Sequence, residues 1–325
     1  MRMSRTLLVS LPIVCAVYGS LAAQTFPSKP ITVVIPFPAG GPTDVIARML
    51  GDQMRAALGQ PIVFENVGGA GGNLGTGRVA RAMGDGHTLI VGNWQTHVVN
   101  PAIYSLPYDV LADFEPLALL ASSPQLLVAK STFPASDLQG LIAWLRANPD
   151  KGSTGVSGIG GPGQITGLQF QSVTGTRYQF VPYRGAAPAM QDLVAGHLDF
   201  MFDSPTTSLP QVRAGKVKAL AVTAGSRLPS APDIMTAHEA GLPHFQSLVW
   251  TAMWAPKGTP EGIIDKLNAP IVRALADPGV RARLADLGQQ VPASEDQTPA
   301  ALGAYQRAEI EKWWPIIKAA NIKAE

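Results

Sequence analysis

Apolar positions along the chain alternate between two spacings: short β-branched runs, and stripes that recur every three to four residues. That is the pattern of buried strands followed by helices packed on them. The first unit shows it clearly. Residues Ile31–Ile35 form a continuous apolar run of strand length, 36–42 is a Pro/Gly loop, and 44–58 sets Ile46, Met49, Leu50, Met54 and Leu58 on one side of a helix. Gly59 closes that helix, since glycine enters the left-handed region without steric cost, and Pro61 opens the next strand. Further strands are predicted at 62–65, 88–92, Leu126–Lys130, Ser153–Val156, 178–181, 198–202 and 219–223, with helices between most of them. The helix after Pro134 carries Leu138, Leu141, Ile142 and Leu145 on one stripe, and the one after Gly185 carries Met190, Leu193 and Val194. Strands alternating with helices define an α/β fold built on parallel sheets flanked by helices.

A chain of 325 residues exceeds one ordinary core and divides most simply into two lobes of roughly 100 to 200 residues. No fixed-period repeat or low-complexity linker separates them, so the lobes are joined by short crossings, expected at 121–125 and 246–251. Residues 24–123 with 250–325 are assigned to the first lobe and 124–249 to the second. Two crossings side by side make a hinge. Trp313 and Trp314 read as the core-facing side of a final helix.

Composition narrows the class. Hydrophobic residues make up 46% and charged residues 15%, with 33 Gly and 28 Pro, which describes a compact, turn-rich globular protein. The first 23 residues read as a cleaved secretory signal: Arg2 and Arg5, an apolar run over 7–21, then Ser20, Ala22 and Ala23. The alternative, a membrane anchor, fits poorly, because the run is shorter than the ~20 residues of a bilayer span and contains Pro12 and Gly19. Cys15, the single cysteine, lies in this segment after Val14 instead of the small residue a lipidation site wants. The mature chain then has no thiol, which excludes disulfides, cysteine-ligated zinc and a cysteine nucleophile. The formal charge of +2 falls to near zero without Arg2 and Arg5, and no basic run stands out, so neither nucleic acid nor an anionic membrane surface is an expected partner.

Two stretches carry candidate chemistry. The loop 36–44, Pro-Phe-Pro-Ala-Gly-Gly-Pro-Thr-Asp, joins a strand end to a helix start, where unpaired N–H groups and the positive end of the helix dipole favour an anion. The competing reading is a tight turn in which Thr43 or Asp44 merely caps the helix. The loop lacks the Gly-Lys-Ser/Thr ending of a nucleotide-binding P-loop. Residues 158–163, Gly-Ile-Gly-Gly-Pro-Gly, match G-x-G-x-x-G after a strand. About 20 residues on, however, stand Tyr183 and Arg184 where a dinucleotide fold needs an acid. This second loop is therefore either another anion-facing turn or a plain one, and no cofactor is expected. The glycines of 66–77 read as a tightly bent or flexible connection. Catalytic sets are absent: His238-Glu239 is followed by Leu242 in place of the second zincin histidine, and Gly155-Val156-Ser157 lacks the closing glycine of a nucleophile elbow. No metal site is expected. The histidines His87, His97, His197, His238 and His244 are scattered, and His97, after a strand, is retained as a ligand contact.

Taken in order, the residues resemble one family, the substrate-binding proteins of tripartite tricarboxylate transporters, also called Bug receptors. The resemblance rests on Phe26-Pro27-Ser28-Lys29-Pro30-Ile31, on Pro36-Phe37-Pro38-Ala39-Gly40-Gly41 with Asp44, and on Glu65-Asn66 with Gly69-Ala70-Gly71-Gly72-Asn73. It continues through Asp85-Gly86-His87-Thr88-Leu89, Leu106-Pro107-Tyr108-Asp109, Val181-Pro182-Tyr183-Arg184-Gly185, Asp199-Phe200-Met201-Phe202-Asp203, and Trp250 with Ala255-Pro256-Lys257-Gly258-Thr259-Pro260. It implies a periplasmic binding protein (Venus flytrap) fold, two α/β lobes around a ligand cleft. It also implies a receptor that takes a small carboxylate, a dicarboxylate or an aromatic acid, to the membrane subunits of such a transporter. No catalysis is implied, and a monomer is expected. The ligand would be gripped largely by backbone groups and ordered water. Carried over residue by residue, the first lobe offers Phe37, Ala39, Gly40, Gly41, Asp44, Asn93, Trp94, Gln95 and His97. The second offers Gly160, Gly161, Gly163, Gln164, Tyr183, Gly185, Ala186, Asp203 and Ser204. Two departures from the family pattern, Pro162-Gly163-Gln164 and Trp94, imply fewer hydroxyl donors and a flatter, more apolar ligand. Trp94 would either stack on that ligand or pack on the first lobe. A secreted α/β hydrolase or dehydrogenase, and a sensory domain serving a signalling partner, are the alternatives.

Overall fold

The computed structural model describes residues 26–319; the leader expected at 1–23, with Cys15, lies outside them. The chain opens as the apolar spacing predicts, with β1 (Ile31–Ile35) and α1 (Pro42–Leu58). Proline at the start of α1 has its fixed φ where the helix needs no N–H, and Gly59, at φ 67, closes it with an N–H to the Arg55 carbonyl. The stripe of α1 buries Ile46, Leu50 and Met54 completely against the sheet, each worth ~1.5–3 kcal/mol relative to exposure.

Two five-stranded sheets follow. The first holds β1, β2 (Ile62–Asn66), β3 (Thr88–Asn93), β4 (Phe114–Pro124) and β10 (Leu248–Pro256) in the order β2-β1-β3-β10-β4. The second holds β5 (Leu126–Lys130), β6 (Ser153–Val156), β7 (Gln179–Pro182), β8 (Phe200–Asp203) and β9 (Val217–Val222) in the order β7-β6-β8-β5-β9. In each sheet the first three strands are parallel and the remaining pairings antiparallel, so the sheets are mixed and not parallel throughout as the alternation of strands and helices predicts; the strands at the crossings, β4, β5 and β10, run against their neighbours. The helices are α2 (Asn73–Ala80), α3 (Asn100–Ile103), α4 (Leu138–Ala147), α5 (Pro162–Thr174), α6 (Ala186–Ala195), α7 (Pro205–Arg213), α8 (Glu261–Ala276), α9 (Pro278–Asp286) and α10 (Pro299–Ala319).

Two adjacent segments join the sheets. Only Gln125 separates β4 from β5, and the return segment enters β10 at Leu248, opposite Pro124. Thr223 ties both crossings. Its hydroxyl accepts the Gln125 N–H at 2.8 Å and lies 3.0 Å from the Ser247 carbonyl, and its own N–H donates to the Gln125 carbonyl at 2.8 Å. Strands β4 and β10 are far longer than the crossing segments picked out from sequence. Ser122, Ser123 and prolines at 116, 124 and 256 break the apolar run that marks a strand, and pairing over nine residues supplies what propensity lacks. The predicted strands 178–181, 198–202 and 219–223 each sit one or two positions off the observed ones.

Candidate functional site

The carboxyl ends of β1 and β3 in one sheet, and of β6 and β8 in the other, lie at a common pocket, and the helices that follow β1, β6, β7 and β8 start on its wall. Lining residues include Gly41 to Thr43 at the start of α1, Pro162 and Gly163 at the start of α5, Ala186 at the start of α6, and Asp203 and Ser204 at the start of α7. Gly41, Gly161 and Gly185 are the N-caps of α1, α5 and α6, and none of the three helices has a side-chain cap; of the four helices that start at the pocket, α7 alone has one, the Ser204 hydroxyl. The first-turn N–H groups of a helix have no carbonyl four residues back to pair with, and they carry the positive end of its dipole. Three such ends aimed at one pocket make a site for negative charge without a cationic side chain. No lysine or arginine lines the pocket.

The loop before α1 is held in shape by Asp44. Its carboxylate accepts the Gly40 N–H and the Asn66 amide, each at 2.9 Å, and Asn66 also donates to the Phe37 carbonyl at 3.0 Å. Arg48 completes the set at 2.9 Å. Gly40 sits at φ +81, a conformation that a side chain at this position would strain. Thus Asp44 shapes the rim while Phe37 and Gly41 face the cavity, and Ala39 and Gly40 are exposed on the outer edge.

The floor is polar and neutral. Asn93 and Thr251 are direct partners across β3 and β10, so their side chains share a face, and Ser123 pairs with Val249 on the same side. Asn93, Thr251 and Gln125 are all at least nine-tenths buried and line the pocket. The Asn93 amide nitrogen, the Thr251 hydroxyl and the Gln125 carboxamide make no hydrogen bond to another described residue and are not sealed from the cavity. Buried polar groups of this kind are satisfied by a ligand or by water. Ile46, Met201, Phe202 and Val249 form the apolar part of the wall.

Asp203 is the one titratable side chain on the pocket wall. It is 4% exposed, forms no ion pair among the described residues, and is held by the Thr207 and Ser208 hydroxyls and the Ser204 N–H. Burial pushes its carboxyl up to about 7 despite those hydrogen bonds.

The remaining sequence-predicted residues lie behind or beside the cavity. Trp94 is 3% exposed and packs edge-to-face on Trp313, with centroids 5.0 Å apart. His97 is fully buried and stacked on Trp254 at 3.6 Å, its Nδ1 bonded to Thr96, and burial pulls it down to about 3, so the ring is neutral. The Gly160 N–H donates to the Gln164 side chain at 2.6 Å, and the Gly161 N–H to the Gly158 carbonyl at 3.1 Å, which folds the second loop onto itself. The Tyr183 hydroxyl donates to Asp192 at 2.6 Å; burial, then the neighbouring carboxylate, pushes it up to about 12. Gln95 and Tyr104 of the first lobe each reach the Ile159 carbonyl of the second at 3.4 Å, so the two loops meet across the cleft. Sequence reasoning did not find Gln125, Thr251 or Gln289. Gln289 arrives from beyond α9 and donates to Thr206 at 2.7 Å, a long-range approach that no local pattern announces. Among the described residues there is no cluster of His, Cys, Asp and Glu able to hold a metal, and no helix long and apolar enough to cross a membrane.

Paired α/β lobes bridged by adjacent strands, with a pocket at the strand ends between them, define a solute-binding receptor of the periplasmic kind. The comparisons place it within that class. A family model described as "Tripartite tricarboxylate transporter family receptor" matches residues 46–322, and the chain belongs to that family. It is similar to Protein BugT of Bordetella pertussis, 33% identical over 306 residues that cover 93% of each chain. MatC from Rhodopseudomonas palustris, solved with bound malate, superposes with a TM-score of 0.85 at 43% identity, covering 90% of this chain and 100% of that one. A second R. palustris protein, solved with adipate, gives a TM-score of 0.87 at 32% identity over 92% of this chain and 99% of that one.

Proposed function

We propose that this chain is exported, closes its two lobes on one small organic carboxylate, and delivers that acid unchanged to the membrane subunits of a tripartite tricarboxylate-type transporter. The observation that carries the reading is the convergence of three uncapped helix starts on a pocket with no basic side chain. Peptide dipoles and N–H groups favour a carboxylate there, and the neutral polar floor offers hydrogen bonds to its other end. The cavity gives about 60 Å³ to the centres of water-sized molecules, against ~10–15 Å³ for a single water. That suits an acid of a few carbons, in keeping with the malate and adipate bound by the two R. palustris proteins. Phe37, Gly41, Asn93, Gly163, Ala186, Asp203 and Ser204 are the contacts that sequence and pocket share; Gln125 and Thr251 join them.

A thermal-shift screen of mono- and dicarboxylic acids tests this. A ligand that binds only the native state adds about 2.7 kcal/mol at a hundredfold excess over its Kd, so one or a few acids raise the Tm and are recovered chemically intact. Conversion of the acid, or no response to any of them, overturns the proposal.

A further inference from the structure

The pocket built for an anion has a carboxyl group in its own wall. Asp203 closes β8 and sits under the first turn of α7, and the elements around it supply no cation. Helix α5 contains no charged residue. On β5, Lys130 is paired with Asp199 at 2.8 Å, and on β9 Lys218 is bonded to the Phe133 carbonyl. On α6, Asp192 is tied to Tyr183 and His197; on α7, Arg213 is paired with Asp286 of α9 at 2.9 Å. On α1, Asp44 and Arg48 hold each other. Arg184, in the loop before α6, is exposed. None of these groups lines the pocket.

A second carboxylate entering this enclosure therefore meets Asp203 with nothing between them to neutralise either charge. Two like charges in a shared buried site do not both persist; the one with the weaker hold on its charge takes a proton. The ligand has three helix ends to stabilise it, whereas Asp203 has the Thr207 and Ser208 hydroxyls, the Ser204 N–H and the end of α7. Resting on the carboxylate reading above, we infer that Asp203 is the protonated partner in the ligand-bound receptor, so that each carboxylate captured at alkaline pH brings one proton with it. In the free receptor the same carboxyl, held near 7 by burial against its hydrogen bonds, is poised to ionise as the pH passes neutrality. The site thus takes an acid together with a proton, not a bare anion, and affinity falls by up to about tenfold per pH unit above that point.

Calorimetric titration with succinate, malate and adipate, in pairs of buffers with different ionisation heats, counts the protons. At pH 8 the expected uptake for whichever acid binds approaches one per ligand. Asp203→Asn, which keeps a neutral donor at the position, removes this uptake and flattens the affinity between pH 6.5 and 8.5. Binding with no proton uptake at pH 8, or an uptake that persists in Asp203→Asn, overturns the inference alone. Failure of all three acids to bind at pH 5.5 overturns the carboxylate reading and the inference with it. Should the variant not fold, the buffer comparison on the unaltered protein still decides.

Discussion

Single side chains near the cleft divide by whether their polar atoms turn toward it or away. Trp94 turns away: its ring is spent on Trp313. Trp94→Phe keeps most of that packing, and the expected outcome is a modest drop in Tm with ligand affinity, measured by calorimetry, unchanged within about twofold, whereas Trp94→Ala costs about 3–5 kcal/mol of stability in denaturant melts. Two buried titratable groups pull against each other as the pH changes. His97 is held below its ordinary range, so its contribution is lost as pH falls from about 6.5 toward 3. Asp203 is held above its own, so its contribution is present in acid and lost as pH rises toward 7. Between pH 4 and 6.5 they offset one another. In Asp203→Asn only the histidine remains, and unfolding free energy should rise with pH by about 1.4 kcal/mol per unit more steeply than in the unaltered protein. Sequence could nominate His97 by its position after a strand end, and Asp44 and Trp94 by the family resemblance. It could not say that each is turned from the cavity, because that depends on Asn66, Trp313 and Trp254, all brought in by the fold.

At the level of strands and helices, the proposed acid grip lies in where helices begin. Proline is tolerated at the first helical position, and Ala186 holds that position in α6. Ala186→Pro deletes one N–H from the pocket without breaking the helix. Stability should hardly change, while ligand affinity falls by the worth of a hydrogen bond to a charged group, ~1.5–3 kcal/mol or roughly ten- to a hundredfold. Gly163→Ala acts differently: its Cβ would lie 2.6 Å from the Phe202 carbonyl, so the start of α5 must shift off β8, with losses expected in both Tm and affinity. The units β1–α1 and β5 to β6 were legible because an apolar run and a helical stripe follow one another without interruption. Strands β4 and β10 were not, since their middle residues owe their conformation to each other across the sheet and not to local preference.

Over the whole molecule, the two sheets share one pair of crossings, and Thr223 is the pin between them. Thr223→Val leaves the buried Gln125 N–H without its hydroxyl acceptor, at a cost of ~1–3 kcal/mol. The expected result is lower stability and a larger radius of gyration by X-ray scattering in ligand-free protein. Opposite the hinge, the Ile159 carbonyl links the lobes through Gln95 and Tyr104. Tyr104→Phe removes one donor, and stopped-flow measurements should show faster ligand release with association little altered.

A grip made from main-chain amides, as proposed for this pocket, has a further effect on how such a receptor can change over generations. Nearly every residue carries the same N–H, so drift in the surrounding side chains leaves the anchor working. A duplicated copy of the gene is free to vary Ile46, Met201 or Val249 and sample new nutrients without first losing its hold on the acid they have in common.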